Sequence, residues 1–208
     1  MKHAWPARGL YAITPAGLTE DACLEKVSQA LTAGIGALQY RDKSSVWSIR
    51  LRMARRLGEL CREACVPLII NDDLALAIES GADGVHLGRD EMHLLETAVA
   101  SSPRLLVGVS CYSDLDRARD AIARGADHVA FGSLFPSPTK PAAPRCELPV
   151  LRAARQEFAV PIVAIGGITP ENGRAVIEAG ADYLAAVSSV FEAGDIARAV
   201  SRYTDLFA

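Results

Sequence analysis

A single-domain (β/α)8 barrel of the TIM type, α/β in class and spanning residues 1–208, is the fold predicted by the sequence. Three observations predict it. Short apolar runs alternate with longer stretches of helical period along the chain, as a parallel sheet with crossover helices requires. A triplet recurs at Gly81-Ala82-Asp83, Gly125-Ala126-Asp127 and Gly180-Ala181-Asp182, with Ala33-Gly34-Ile35-Gly36 in the same role earlier. Recurrence at every second βα unit fits a closed barrel with fourfold layering of its core better than an open, doubly wound sheet. Finally, polar residues collect after the runs, while glycine, proline and alanine precede them.

In chain order, the predicted strands are Leu10 to Thr14, Ala37 to Arg41, Pro67 to Asn71, Gly84 to Leu87, Leu105 to Ser110, His128 to Phe131, Pro161 to Ile165 and Tyr183 to Val187. Amphipathic helices lie between them. Ser45 to Ala64 is one, with Val46, Ile49, Met53, Leu57 and Leu60 at three-to-four residue spacing, and Asp195 to Leu206 closes the fold. The glycine of each repeated triplet suits a left-handed helix stop, and its alanine lets the chain turn tightly into the barrel floor.

Half of the 208 residues are hydrophobic and the formal net charge is −3. That is enough for one sizeable core, and the scattered Lys and Arg make no footprint for nucleic acid or an anionic membrane. A small-molecule partner in the cytoplasm is expected, since no signal-length or membrane-length apolar run is present. An assembly of identical copies is compatible with the sequence. Five cysteines, Cys23, Cys61, Cys65, Cys111 and Cys146, lack zinc-type spacing and read as reduced packing thiols. Cys61 and Cys65 would share a helix face.

In a barrel, chemistry belongs at the carboxyl ends of the strands. After strand six, Phe131-Gly132-Ser133-Leu134-Phe135-Pro136-Ser137-Pro138-Thr139-Lys140 combines a buried strand end with stiffening prolines, hydroxyls and an ammonium, which suits a phosphate or pyrophosphate. Gly166-Gly167 after strand seven and Ser188-Ser189 after strand eight fit a phosphate cup of bare amides, glycine sparing the oxygens a side chain. Asn71-Asp72-Asp73 and Asp90-Glu91 follow neighbouring strands and could set two carboxylates face to face, as magnesium on a pyrophosphate needs. Asp73 is equally a helix N-cap before Leu74-Ala75-Leu76, which leaves Asp72 the metal candidate. Arg41 and Lys43 would point into the mouth with Asp42 turned aside, or else form a salt-bridged rim. His86 sits just inside strand four, where a core reading is favoured over a catalytic one, and His128 gives no signal.

Together these segments resemble the thiamine-phosphate synthase family from Gly9 almost to the end. The likeness rests on Gln39-Tyr40-Arg41-Asp42-Lys43, Ile70-Asn71-Asp72-Asp73, Gly81 to Gly88, Gly108-Val109-Ser110, Pro136-Ser137-Pro138-Thr139-Lys140 and Ile165-Gly166-Gly167-Ile168-Thr169. The resemblance implies a magnesium-dependent transferase. It would join 4-amino-2-methyl-5-hydroxymethylpyrimidine diphosphate to 4-methyl-5-hydroxyethylthiazole phosphate, giving thiamine phosphate and pyrophosphate. By motif match, Gln39, Tyr40, Arg41, Asp42, Lys43, Asn71, Ser110 and Lys140 would hold the pyrimidine diphosphate. Ser137, Pro138, Thr139, Gly167, Val187 and Ser188 would hold the thiazole phosphate, and Asp72 and Glu91 the metal. Arg41, Lys43, Ser110 and Lys140 carry the catalytic part. Glu91 stands where the family usually has aspartate, so either its longer side chain reaches the metal, directly or through water, or Asp90 does. Ser137 replaces a more usual threonine and keeps the hydroxyl.

Two other readings compete. The thiazole tautomerase branch of the family places a histidine where this chain has Ser133 and tends to lose the acidic pair. A barrel that binds a phosphorylated metabolite without turnover is the other, because fold alone does not fix activity.

Overall fold

A computed structural model describes residues 8–101, 103–136 and 145–208. The strands are β1 Gly9–Ile13, β2 Ala37–Tyr40, β3 Leu68–Asn71, β4 Gly84–Leu87, β5 Leu106–Tyr112, β6 His128–Phe131, β7 Ile162–Ile165 and β8 Tyr183–Ala186. They close in sequence order into a parallel barrel, β8 pairing back onto β1. Each predicted strand is present, and the differences at the ends have causes. Pro67 and Pro161 lack an N–H for the ladder, so β3 and β7 begin one residue later, although both proline carbonyls accept from the neighbouring strand. β5 runs on to Tyr112 because its pairing with β6 shifts register between Ser110 and Tyr112.

Alternation sends one set of side chains into the barrel and the other against the helices. Tyr11, Ile13, Ala37, Ile69, Ala130, Val163, Tyr183 and Ala185 form the inner cluster. The outer faces of the strands pack on α1 Glu20–Thr32, α2 Trp47–Glu63, α3 Leu74–Ser80, α4 Leu95–Val99, α5 Leu115–Ala123, α6 Leu148–Glu157, α7 Pro170–Glu178, α8 Ser188–Phe191 and α9 Ile196–Thr204. In α2 the buried face is Met53, Ala54, Leu57 and Cys61, whereas Val46 precedes the helix and is 64% exposed. Cys65 falls beyond the end of α2 and is exposed, so it does not share a face with buried Cys61. All five cysteines are free thiols.

The repeated triplets prove to be floor clamps, and their aspartates do more than the sequence suggested. Gly81, Gly125 and Gly180 take φ of 73°, 96° and 111°, the left-handed turn expected after a helix. Each following aspartate then grips the start of the preceding strand at two points. Asp83 donates its N–H to Leu68 O and accepts Leu68 N–H at 2.9 Å. Asp127 does the same with Val107 at 2.7 and 2.8 Å, and Asp182 with Ile162 at 2.9 and 2.8 Å. The carbonyls of Asp83 and Asp182 pass the contact on to Leu106 N–H and Gly9 N–H, tying one βα unit to the next. Arg104 and Arg155 neutralise Asp127 and Asp182 from outside. At Ala33-Gly34-Ile35-Gly36 only the backbone bond survives, from Gly36 N–H to Leu10 O.

Loss of a carboxylate that accepts a strand N–H leaves that donor without its partner. Asp127→Ala is therefore expected to lower unfolding free energy by about 1–3 kcal/mol in urea titration. Asp116→Ala, which removes only an exposed ion pair with Arg119, should change it by less than about 0.5 kcal/mol.

Candidate active site

The carboxyl ends of β2, β3 and β4 meet at Asp72. This residue holds a left-handed backbone, φ 63°, which aspartate tolerates better than most residues. Its N–H donates to His86 O at 2.8 Å. One carboxylate oxygen accepts from Gly88 N at 3.1 Å, and the other from Asn71 Nδ2 at 2.7 Å and Lys43 Nζ at 2.9 Å. An open cleft of about 670 Å³ lies over this junction, walled by Asp42, Lys43, Arg50, Asn71, Asp72 and Glu91 among others.

Of the two acidic residues after β4, Glu91 is the one that faces Asp72. A Cβ placed on Gly88 would sit 2.8 Å from a Glu91 carboxylate oxygen and 3.1 Å from Asp72 Oδ1, so both acids converge on the space a side chain would fill. Asp90 is exposed, and its carbonyl accepts from His93. Asp73 is the N-cap of α3, accepting from Leu76 N at 2.9 Å, and pairs with Arg50 at the same distance. Among the described residues no cluster of three or more metal-ligating side chains occurs, so a cation here would take two carboxylates and complete its shell from water and ligand oxygens.

The β2 end divides its residues between layers. Gln39 lies inside the barrel, 4% exposed, donating to Tyr11 Oη at 3.0 Å. Tyr40 is turned outward into the helix layer and touches the site only through its hydroxyl on Asp42. Asp42 folds back on its own loop, accepting from Ser44 N, Ser44 Oγ and Ser45 N. Arg41 is half-buried, with its N–H on Thr14 Oγ1 at 2.9 Å, and Lys43 reaches across to Asp72.

On the β7 and β8 side of the same rim, Gly166 and Gly167 take φ of 105° and 60°. The structural need for glycine here is steric: a Cβ on Gly166 would lie 2.2 Å from Ser133 Oγ, and one on Gly167 2.4 Å from Pro136 O. The loop after β6 is laid on this turn by Leu134 N–H on Ile165 O and Phe135 N–H on Gly166 O. Pro136 thus brings the chain against Gly167. The predicted binding residues Ser137, Pro138, Thr139 and Lys140 follow it and lie outside the described residues. Ser133 donates its hydroxyl to Phe135 O at 3.0 Å, which ties it to its own loop. Val187 and Ser188 are half-buried at the start of α8, whereas the Ser189 hydroxyl is taken up by Tyr203 Oη at 2.7 Å and by the Ile168 carbonyl at 3.4 Å.

Two further features escaped the sequence reading. His86 Nε2 lies 2.9 Å from Ser110 Oγ, and His86 Nδ1 lies 3.4 Å from Nε2 of His128, which is fully buried. Burial holds the His128 pKa well below the ordinary histidine value, with His86 adding to the effect, so His128 is neutral. Arg117 donates to Ser110 O at 2.7 Å and Gly88 O at 3.1 Å, locking the ends of β5 and β4 together. A Gly-Val-Ser pattern marks Ser110, but nothing local marks Arg117 seven residues on. Cations and carboxylates at one end of the mouth and a glycine turn at the other can hold a metal-bound diphosphate beside a second anionic group.

Comparison with known proteins gives consistent results. The family profile described as "Thiamine monophosphate synthase" matches residues 10–190. The thiamine-phosphate synthase of Thiobacillus denitrificans is 50% identical over 200 residues, 96% of this chain and 95% of that one. That of Methylococcus capsulatus is 50% identical over 203 residues, covering 98% and 91%. The solved structure of thiamine phosphate pyrophosphorylase from Pyrococcus furiosus superposes with a TM-score of 0.85 at 33% identity, covering 96% and 95%.

The Asp42 loop yields a titration prediction. Burial raises the Asp42 pKa, but the Ser45 and Ser44 hydrogen bonds lower it by more, to about 2. A depressed carboxylate contributes to stability above its unfolded pKa, and that contribution is lost as pH falls through about 2. Carbon NMR should find Asp42 ionised at about pH 3, where a free aspartate, pKa about 3.9, is mostly protonated. Ser44→Ala should move the midpoint upward; a wild-type midpoint at the ordinary value would refute this account of the loop.

Proposed function

The chain belongs to the thiamine monophosphate synthase family, and on that premise we propose how its barrel mouth makes thiamine phosphate. The reaction joins 4-amino-2-methyl-5-hydroxymethylpyrimidine diphosphate to 4-methyl-5-hydroxyethylthiazole phosphate and releases pyrophosphate. The observation that carries the assignment of roles is the convergence of Asp72 and Glu91 on the bare Cα of Gly88, beside Lys43 and across the rim from Gly167.

The diphosphate belongs at the Asp72 end. Arg41, Lys43, Asn71 and Ser110 are assigned to its oxygens there, and Lys140 is assigned to the same group by its motif. The thiazole phosphate belongs at Gly167, Val187 and Ser188, and Ser137, Pro138 and Thr139 are assigned to it by their motif. Asp72 and Glu91 fit Mg²⁺: they are hard oxygen donors, too few to complete its shell, converging where water and diphosphate oxygens have room. Magnesium, when bound, would neutralise negative charge building on the departing pyrophosphate.

The carbon–oxygen bond to the diphosphate breaks first, and pyrophosphate leaves with the electron pair. The electron-rich aminopyrimidine supports the benzylic-type cation left on its methylene. The thiazole nitrogen then supplies its lone pair to form the carbon–nitrogen bond. Arg41, Lys43 and Lys140 hold the leaving group by charge, while the phosphate pocket keeps the nitrogen in line. No proton has to be removed, so the site needs no general base. Asp42 acts by shaping the loop that carries Lys43, and Tyr40 by bracing Asp42. Gln39 approaches the pyrimidine from the barrel interior.

The tautomerase reading requires a proton shuttle at position 133, and the Ser133 hydroxyl bonded to Phe135 O does not supply one. A cytoplasmic location is supported by five free cysteines. Among the described residues, no helix is long and apolar enough to cross a membrane.

Direct assay of the two substrates with Mg²⁺ tests these roles. Asp72→Asn should lower turnover by about a hundredfold or more, and Glu91→Gln by about tenfold or more, while Asp90→Asn stays within about twofold of wild type. A collapse in Asp90→Asn with normal activity in Glu91→Gln would exchange the two assignments. Full activity without divalent metal would remove the metal from the account.

A further inference from the structure

Gln39 and Ser110, two residues given to the pyrimidine diphosphate, lie at either end of a buried polar column whose inner members, Tyr11, His128 and His86, have no part in the reaction above. Gln39 Nε2 donates to Tyr11 Oη at 3.0 Å, and the Tyr11 ring lies 6.3 Å from that of His128. The His128 and His86 rings are 5.5 Å apart, their nearest nitrogens 3.4 Å, and His86 Nε2 reaches Ser110 Oγ at 2.9 Å. Barrel interiors are ordinarily filled by apolar side chains. Here the two imidazoles are 8% and 0% exposed, and space is kept for them by Gly108, where a Cβ would lie 2.0 Å from His128 Nε2 and 2.6 Å from His86 Nδ1. β4, β5 and β6 put His86, Gly108 and His128 directly opposite one another.

The chemistry of this column constrains Ser110. A hydroxyl has one proton to give, and a diphosphate offers only acceptors. If Ser110 donates to His86 Nε2, the lone pairs left to face the mouth repel the diphosphate. If His86 Nε2–H donates to Ser110 instead, the serine proton is free to point outward. In neutral His86 the Nδ1 then accepts, and the Nε2 of His128, 3.4 Å away, is placed to donate to it. We propose that His86 and His128 are positioning residues that keep a proton on His86 Nε2, so that Ser110 accepts a hydrogen bond inside the barrel and donates its own to the bound diphosphate. The imidazole pair acts through Ser110 and does not touch the reacting atoms. It extends the functional reading above, because it requires that Ser110 meets the diphosphate.

Two measurements test it, and only one depends on turnover. Nitrogen-15 NMR of the labelled wild-type protein should show His86 Nε2 protonated; an unprotonated Nε2 overturns the proposal, whatever the protein catalyses. In steady-state assays His86→Leu should lower kcat/KM for the pyrimidine diphosphate by about tenfold or more, the worth of one hydrogen bond to a charged group. KM for the thiazole phosphate should stay unchanged, and His86→Gln, which keeps an N–H near Ser110, should recover most of the loss. In a Ser110→Ala background, His86→Leu should have no further effect. A second drop of the same size there would make His86 a packing residue and contradict the proposal. Melting curves identify a His86→Leu protein that is merely unfolded, and the wild-type spectrum then decides. Absence of thiamine phosphate with wild type would refute the functional reading, while the Nε2 proton would still be read.

Discussion

The mouth of the barrel depends on one carboxylate. Asp72 receives Gly88 N–H on one oxygen and Asn71 and Lys43 on the other, and its own N–H holds His86 O. Three strand ends are therefore registered on a single side chain, in a backbone conformation that few residues adopt without strain. Lys43 balances its charge at 2.9 Å. On the proposed reading, a metal-bound diphosphate would let the same lysine exchange a protein carboxylate for a substrate oxygen.

Just as much depends on side chains that are missing. Gly88 leaves room for Asp72 and Glu91, Gly108 for His86 and His128, and Gly166 and Gly167 for the loop that carries Ser133 to Pro136. Each bare Cα lets polar groups from neighbouring strands approach within hydrogen-bonding or coordinating reach of one another. Below the mouth, Asp83, Asp127 and Asp182 grip the barrel floor, so the end that does chemistry and the end that maintains closure are held by different residues.

The sequence made the barrel legible because its signals were periodic: apolar runs at the strand spacing, and a triplet whose glycine is forced left-handed at every second unit. The runs lay within two residues of the observed strands. The Asp72 cluster was legible because its members follow consecutive strands, and Asp73 was separable as a helix cap on local grounds. What escaped was lateral. His128 lies forty-two residues from His86 and meets it only because barrel closure sets β4 and β6 on either side of a glycine. Arg117 bridges two strand ends from the helix beyond them. The fit of Glu91 over Asp90 turns on which side of the loop faces Gly88, a matter of backbone direction that adjacent acids cannot reveal. Gly166 and Gly167 were expected to make room for a phosphate; the packed loop from Ser133 to Pro136 already requires both.

The central claim is that residues from separate strands build one anion-and-metal site around Asp72, with a second phosphate pocket at Gly167. A crystal structure of the protein with Mn²⁺ and pyrophosphate tests it most directly. The account predicts anomalous density between the Asp72 and Glu91 carboxylates, with pyrophosphate oxygens on Arg41, Lys43 and Lys140 and the Gly167 turn left open. Manganese bound away from Asp72, or pyrophosphate seated at Gly167 alone, would contradict it.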